Sequence, residues 1–89
     1  MAWKIQLSRQ ADAFAVAEHI ADELILTLIG KFINYCKGHD ENIDVKKMKG
    51  KWKGYHRIRI GKVRIILKVD FKAYSIFVDR IDFRGNVYK

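Results

Sequence analysis

Apolar and polar residues alternate at the start of the chain. Trp3, Ile5 and Leu7 are separated by single polar residues within Met1–Ser8. A period of two is typical of a β-strand that buries one face, so the pattern predicts a first strand over these residues. Ser8 stands where the alternation stops, and its side chain suits the N-cap of a helix.

Helical spacing follows the first strand. Apolar residues and alanines within Ala11–Glu18 recur at intervals of three and four, with no glycine or proline among them. A second helix is predicted from Asp22 to about Lys37, where Gly38 provides a common C-terminal stop. We expect a turn at Ile20–Asp22 between the two helices, although one continuous helix fits the same pattern.

The second helix has apolar residues on more than one of its faces. In one interpretation the helix is packed inside the core. In the other, one face docks a second protein, or a second copy of the chain in self-association. The candidate anchors form two rows at helical spacing: Leu24, Leu28 and Phe32, or Ile25, Ile29 and Ile33.

Strand patterns dominate the second half of the chain. After a polar loop at His39–Asp44 and a lysine-rich connector at Val45–Lys53, alternation returns in three segments. These predicted strands are His56–Ile60, Val63–Val69 and Tyr74–Asp82. A helical part followed by a β-meander indicates a single α+β domain over residues 1–89, with the helices on one face of an antiparallel sheet.

Composition restricts the class of protein. An apolar fraction of 49% indicates a folded chain, not a disordered one. The single cysteine, Cys36, excludes an internal disulfide and fits a reducing cytoplasm. The apolar run Leu24–Ile29 is too short to span a membrane, and the N-terminus lacks the pattern of a signal peptide. We therefore expect a cytoplasmic protein without membrane contact.

The net charge of +8 is unevenly distributed. Residues 1–44 carry four Lys/Arg and seven Asp/Glu, a charge of −3, whereas residues 45–89 carry fourteen and three, a charge of +11. A chain with its excess positive charge in one half has a surface suited to a polyanion, and nucleic acid is the expected partner. A charged face that is only solvated is the alternative.

Four basic residues are predicted to share one face of the meander. Alternation places Arg57 and Arg59 on one side of their strand, and Arg64 and Lys68 on the same side of the next strand. No acidic partner for the arginines is evident from the strand patterns, so a phosphate backbone is the expected counter-charge. The side chains predicted to face the helices are apolar: Ile58, Ile60, Val63, Ile65, Leu67 and Val69.

The sequence resembles a known family over nearly its whole length. The segments "KMKGKWKGYHRIRIGKVRIILKV" and "IFVDRIDFRGNVYK" are similar to the second half of the RelE/ParE toxins of toxin–antitoxin systems. The first residues, "MAWKIQLSRQADAF", are similar to that family's first strand and helix. The resemblance implies the same α+β fold: a strand, two helices and an antiparallel sheet.

The RelE branch of that family implies a function and a set of site residues. The expected activity is ribosome-dependent cleavage of mRNA by a metal-independent attack of the 2′-hydroxyl on the adjacent phosphate, with no cofactor. A cognate antitoxin, mRNA and the ribosome are the expected partners. The matching catalytic positions are Arg57, Arg59, Arg64, Arg84 and Tyr88, and RNA binding is expected at Lys49, Lys51, Lys53 and Lys68.

Two departures from the family pattern affect the chemistry. Arg57 and Arg59 stand where some relatives have lysine, and arginine is a poor general base but stabilises phosphate charge well. His56 stands where tyrosine is common. Two neighbouring arginines would lower its pKa and favour a role as a base. Alternation places it on the opposite face, which favours packing.

Two other functions fit the resemblance. A toxin of the ParE branch inhibits gyrase and cleaves nothing, and an inactive homologue would only bind an antitoxin or nucleic acid. The terminal "RGNVY" favours the RNase branch. Outside this site, His19 and His39 are expected at the surface or in packing roles, and Asp79 and Asp82 are expected to pair with Arg80 or Arg84.

Overall fold

The computed structural model describes residues 3–83 as two helices and a five-stranded sheet. The strands lie in the order β1-β5-β4-β3-β2. In chain order the elements are β1 (Lys4–Leu7), α1 (Arg9–Ala17), α2 (Asp22–Cys36), β2 (Asp44–Lys47), a 3₁₀ turn (Gly50–Trp52), β3 (His56–Ile60), β4 (Val63–Asp70) and β5 (Ser75–Phe83).

The sheet is mixed, whereas the sequence predicted an antiparallel one. The meander of β3, β4 and β5 is antiparallel as expected, but β1 pairs with β5 in parallel. The sheet also contains an edge strand, β2, where we predicted the end of a loop and a connector. That strand was missed because "DVKK" has one apolar residue, Val45, and so shows no alternation.

The core lies between the helices and one face of the sheet. Ala11 and Ala15 of α1 and the inner side of α2 pack there against the isoleucines, leucine and valine of β3, β4 and β5. Burial of these side chains supplies the main driving force for folding. Ile60 departs from the prediction, because it lies at the exposed end of β3 beside the Gly61 turn.

Helix α2 is a core helix, and this corrects the residues proposed for docking. Five of the six candidate anchors are buried: Ile25, Leu28, Ile29, Phe32 and Ile33. A side chain that fills the core has no surface to offer a partner or a second copy of the chain. Leu24 is the one exposed member of that set. Leu26, which belongs to neither row, is exposed as well. Within residues 3–83, neither helix is long and apolar enough to cross a membrane.

A turn separates α1 from α2, so residues 9–36 form two helices and not one continuous helix. His19 has a left-handed backbone (φ 57°), and the N–H of Ile20 donates to the carbonyl of Ala15 over 2.9 Å. This bond pattern closes a helix C-terminus and reverses the chain slightly earlier than predicted. Gly38 (φ 89°) ends α2 in the same way, as the sequence predicted.

Ser8 joins the start of α1 to the sheet. Its Oγ accepts the N–H of Ala11 at 3.1 Å, which confirms the predicted N-cap. The same hydroxyl donates to the carbonyl of Asp79 on β5 at 2.5 Å. One side chain therefore satisfies a helix-end N–H and a strand carbonyl at the same time.

Replacing Ser8 by alanine is expected to remove both bonds. The N-cap alone is worth about 1 kcal/mol, and the unpaired groups raise the expected loss of unfolding free energy to about 1–2 kcal/mol. Ser8→Thr keeps the hydroxyl and is expected to stay within about 0.5 kcal/mol of the parent chain. Urea unfolding measures the unfolding free energy of both variants. Equal stability of Ser8→Ala and Ser8→Thr would contradict the double role of the hydroxyl.

Candidate nucleic-acid interface

The predicted arginine face exists on the side of the sheet away from the helices. Strand register places Arg59 directly opposite Arg64, and Arg57 opposite Ile66. Ile66 is buried but does not belong to the helix-side core, so it forms the apolar centre of the arginine face. Lys68 lies two residues further along β4 with the same orientation.

Two aspartates also lie on this face, and they correct the expectation that the arginines lack acidic partners. Asp44 of β2 lies opposite Arg59, and Asp82 of β5 lies opposite Arg64. The register therefore builds one row of charges across four strands, in the order Asp44, Arg59, Arg64, Asp82. Asp82 pairs with Arg64, whereas the prediction was Arg80 or Arg84, and Arg84 lies outside the described residues. Asp44 was missed because β2 was not recognised as a strand, and Asp82 was missed because it was assigned to Arg80 or Arg84.

The pair between Arg64 and Asp82 is a closed structural ion pair. Arg64 donates from Nε and Nη2 to the two carboxylate oxygens of Asp82, at 3.1 and 3.0 Å. The side chains are 14% and 11% exposed, respectively. A two-pronged bond at this depth fixes both side chains and occupies the donors of Arg64 that face Asp82.

The contacts of Asp44 are more open. Its carboxylate lies 3.3 Å from Nη2 of Arg57 and 4.0 Å from Nε of Arg59, but its own side chain is 56% exposed. A solvated carboxylate at these distances contributes little stability. A phosphate with more charge and more acceptor oxygens is therefore able to compete with Asp44 for both arginines.

Arg57 is the least exposed of the three arginines on this face, and two of its N–H groups lack a partner among the described residues. Its residue is 7% exposed, and its Nε and Nη1 have no hydrogen-bond partner within residues 3–83. The Nε of Arg59 is also without a hydrogen bond there. Buried unpaired donors are rare in folded proteins because each forfeits its bonds to water. These N–H groups are buried beside Asp44, so an anion would have to move the arginine side chains to reach them.

The predicted RNA-binding lysines lie at one end of β3 and on the neighbouring strand. Lys49, Lys51 and Lys53 belong to the exposed connector that surrounds the 3₁₀ turn. The ammonium of Lys68 lies 5.8 Å from the ring centre of Tyr55, a residue on the arginine face. The lysines therefore extend the positive charge of the arginine face beyond the end of the strand.

His56 points away from the arginines. Its ring centre lies 5.2 Å from that of Phe32 in α2, so it packs against the core. Burial lowers the pKa of His56, and the charge of Lys47 lowers it further. A lowered pKa was expected, but the neighbouring arginines are not its cause. Its Nδ1 has no hydrogen-bond partner in the described part of the chain. These contacts favour the packing interpretation.

The remaining candidate residues add nothing to this face. His19 and His39 are exposed on the helical half. Burial raises the pKa of the Cys36 thiol, which does not favour a reactive thiolate. No three His, Cys, Asp or Glu side chains within residues 3–83 come together as a metal site. Arg84 and Tyr88 lie outside the described residues.

The sheet order and the two helices define a fold that occurs in the toxins of toxin–antitoxin systems. A point mutant of YafQ from E. coli has a TM-score of 0.67 at 18% identity, covering 99% of this chain and 100% of that one. The YoeB–YefM toxin–antitoxin complex from Staphylococcus aureus gives 0.65 at 18%, with 94% and 99% covered.

An archaeal protein shares the fold as well. The RelB–RelE antitoxin–toxin complex from Methanococcus jannaschii has a TM-score of 0.55 at 21% identity, covering 93% of this chain and 94% of that one. No family model matches the sequence, and no curated protein sequence matches it either. At these identities the likeness establishes the fold, and it confirms the fold that the sequence resemblance implied.

The two aspartates are expected to respond differently to removal of their charge. Asp44→Asn weakens the hold on Arg57 and Arg59, so binding of single-stranded RNA should strengthen about two- to fivefold, with a smaller loss of stability than for Asp82→Asn because Asp44 is itself solvated. Asp82→Asn leaves Arg64 buried and unpaired, at a cost of about 2–4 kcal/mol. Asp40→Asn, in the exposed preceding loop, is the control. Weaker RNA binding by Asp44→Asn would show that Asp44 does not compete with the ligand.

Stability is expected to fall on mild acidification because of His56. Its pKa is lowered in the folded state, so below the ordinary value of 6.5 the unfolded chain binds a proton that the folded chain refuses. The unfolding free energy should therefore decrease as the pH falls from about 7.5 to 5.5. His56→Gln should flatten this dependence, whereas His39→Gln should preserve it. Identical profiles for the parent chain and His56→Gln would refute a buried neutral His56.

Proposed function

We propose that this protein is the toxin of a toxin–antitoxin system and acts as a RelE-like, ribosome-dependent mRNA endoribonuclease. The observation that carries the proposal is the pair Arg57 and Arg59 on the sheet face away from the helices of a toxin-like fold, where both arginines keep buried N–H groups without a hydrogen-bond partner among the described residues. The motifs in the second half of the sequence and the +11 charge of residues 45–89 support a polyanionic substrate.

In the proposed reaction, the 2′-hydroxyl of one ribose attacks the adjacent phosphate. A new P–O bond forms, the bond to the 5′-oxygen of the next nucleotide breaks, and a 2′,3′-cyclic phosphate and a 5′-hydroxyl result. Negative charge accumulates on the phosphate oxygens in the transition state. Arg57 and Arg59 stabilise that charge by donating N–H bonds, since arginine stays protonated throughout.

The other proposed residues have distinct parts. Arg64 is held and largely neutralised by Asp82, so it serves as a fixed neighbour for Arg59 and makes fewer direct contacts with the phosphate. By resemblance, Arg84 stabilises the phosphate or helps to protonate the leaving 5′-oxygen, and Tyr88 orients the attacked nucleotide. His56 has no part in proton transfer here, because it packs against Phe32 on the opposite face.

A cognate antitoxin is the proposed protein partner. Two solved structures with this fold are toxin–antitoxin complexes, YoeB–YefM and RelB–RelE. The exposed Leu24 and Leu26 of α2 are available to an antitoxin helix or a second copy of the chain, unlike the buried residues of the two predicted rows. The ribosome and mRNA complete the set of proposed partners, and the cytoplasm is the proposed location.

One observation favours a different function on the same fold. Asp44 and Asp82 neutralise part of the arginine face, which leaves less charge for RNA than the sequence suggested. A ParE-like toxin that inhibits gyrase without cleaving RNA has no need of free arginines at this position. An inactive homologue that binds only the antitoxin would tolerate the same ion pairs.

We expect mRNA cleavage on translating ribosomes to fall in three variants: Arg57→Ala, Arg84→Ala and Tyr88→Phe. Loss of one donor that stabilises charge in the transition state costs about 10²–10³ in rate, and the folding of each variant is verified before its activity is compared. Arg9→Ala, an exposed arginine on α1, is the control. Growth arrest, mRNA cleavage and gyrase inhibition are measured in parallel.

Each result has a definite meaning for the proposed function. Cleavage by the parent chain and by Arg9→Ala, with loss in the other variants, supports the endoribonuclease. Growth arrest with gyrase inhibition and intact mRNA would exclude it in favour of a ParE-like toxin. A parent chain that binds an antitoxin but causes no arrest would identify an inactive homologue.

A further inference from the structure

A cavity of about 500 Å³ lies under the connector between β2 and β3. Its volume is within the range of about 300–1,000 Å³ that is common for small-ligand sites. Three of its lining residues are lysines and two are glycines, which expose backbone. The lining residues are Lys47, Met48, Lys49, Gly50, Lys53, Gly54, Tyr55 and His56.

The connector is built as a closed loop. The N–H of Met48 donates to the carbonyl of Tyr55 at 3.0 Å, which closes the base of the loop. Gly50 (φ 67°) and Gly54 (φ 92°) have left-handed backbone conformations that residues with a side chain rarely adopt. The cavity under this loop is therefore specified by backbone hydrogen bonds and glycine positions.

The chemistry of the lining combines a flat apolar surface with positive charge. Met48 and Tyr55 provide a thioether and an aromatic ring, and the edge of that ring is supported by Trp52, whose ring centre is 5.3 Å away at an interplanar angle of 82°. The ammonium groups of the three lysines belong to exposed residues around this surface. A flat aromatic ring attached to a phosphate fits both features, and a nucleotide is such a molecule.

Tyr55 connects the cavity to the arginine face. It lies two residues before Arg57 along the chain, a separation of about 6.6 Å at strand spacing, which is about one nucleotide step. Its ring also lies 5.8 Å from the ammonium of Lys68, which projects from that face. A strand of RNA whose phosphate lies at Arg57 and Arg59 therefore has its neighbouring base within reach of Tyr55 and Met48.

We propose that this cavity binds one base of single-stranded RNA, the base next to the phosphate held by Arg57 and Arg59. The inference rests on the proposed function, because the arginine face must bind the RNA backbone for the base to reach the cavity. The cavity would contact the base itself, whereas the arginines would contact only the phosphates.

The test compares short RNA with an abasic oligomer of the same length and phosphate number. In a Trp3→Phe background, Trp52 is the single tryptophan and its fluorescence reports on the ring of Tyr55. Intact RNA should quench Trp52 and bind more tightly than the abasic oligomer, by about fivefold to a hundredfold for one stacked base. Tyr55→Leu should abolish this difference, whereas Tyr74→Leu, an exposed tyrosine in the β4–β5 turn, should preserve it.

Salt dependence separates this inference from the proposed function. Each phosphate bound on a single strand contributes about −0.7 to the slope of log K against log salt concentration. Equal affinity for intact and abasic oligomers, with a slope near −2, would overturn the base site while backbone binding remains. No binding of either oligomer would overturn the base site, whereas the cleavage assay on translating ribosomes tests the proposed function separately. If Tyr55→Leu fails to fold, the affinities of the parent chain for intact RNA and for the abasic oligomer still test the base site.

Discussion

The register of the sheet determines what the positive face of this protein is able to do. Pairing of β2 with β3, and of β4 with β5, places a carboxylate at each end of the two opposed arginines. Arg59 and Arg64 would repel each other if they faced each other alone. The aspartates relieve this repulsion, and the sheet can therefore concentrate positive charge without losing stability.

The two ends of this charged row differ in depth, and that difference separates structure from function. Asp82 and Arg64 are enclosed and hold each other in a fixed geometry. Asp44 lies on an edge strand in contact with solvent, so its hold on Arg57 and Arg59 is reversible. The arginines that we propose to bind phosphate are thus concentrated at the β2–β3 edge, next to the lysine-rich connector and the cavity beneath it.

Much of the fold follows from local patterns, and the site follows only in part. Strict alternation in β3 and β4 predicted the shared face of Arg57, Arg59 and Arg64, and Ser8 and Gly38 predicted helix ends. The ion pairs were missed because each depends on which strands are neighbours. Burial of α2 was left open for a related reason, since its apolar faces do not show by themselves which one meets the sheet.

The bond between Ser8 and Asp79 also has a consequence for how the protein acquires its structure. The two residues are 71 positions apart, and β1 finds its pairing partner only in β5. During synthesis, β1 and α1 leave the ribosome long before their docking site exists, because that site is the last strand of the sheet. Such long-range pairing makes folding slow and places it late. The arginine face, which needs Asp82 of the same last strand, is therefore assembled only when nearly the whole domain has been made.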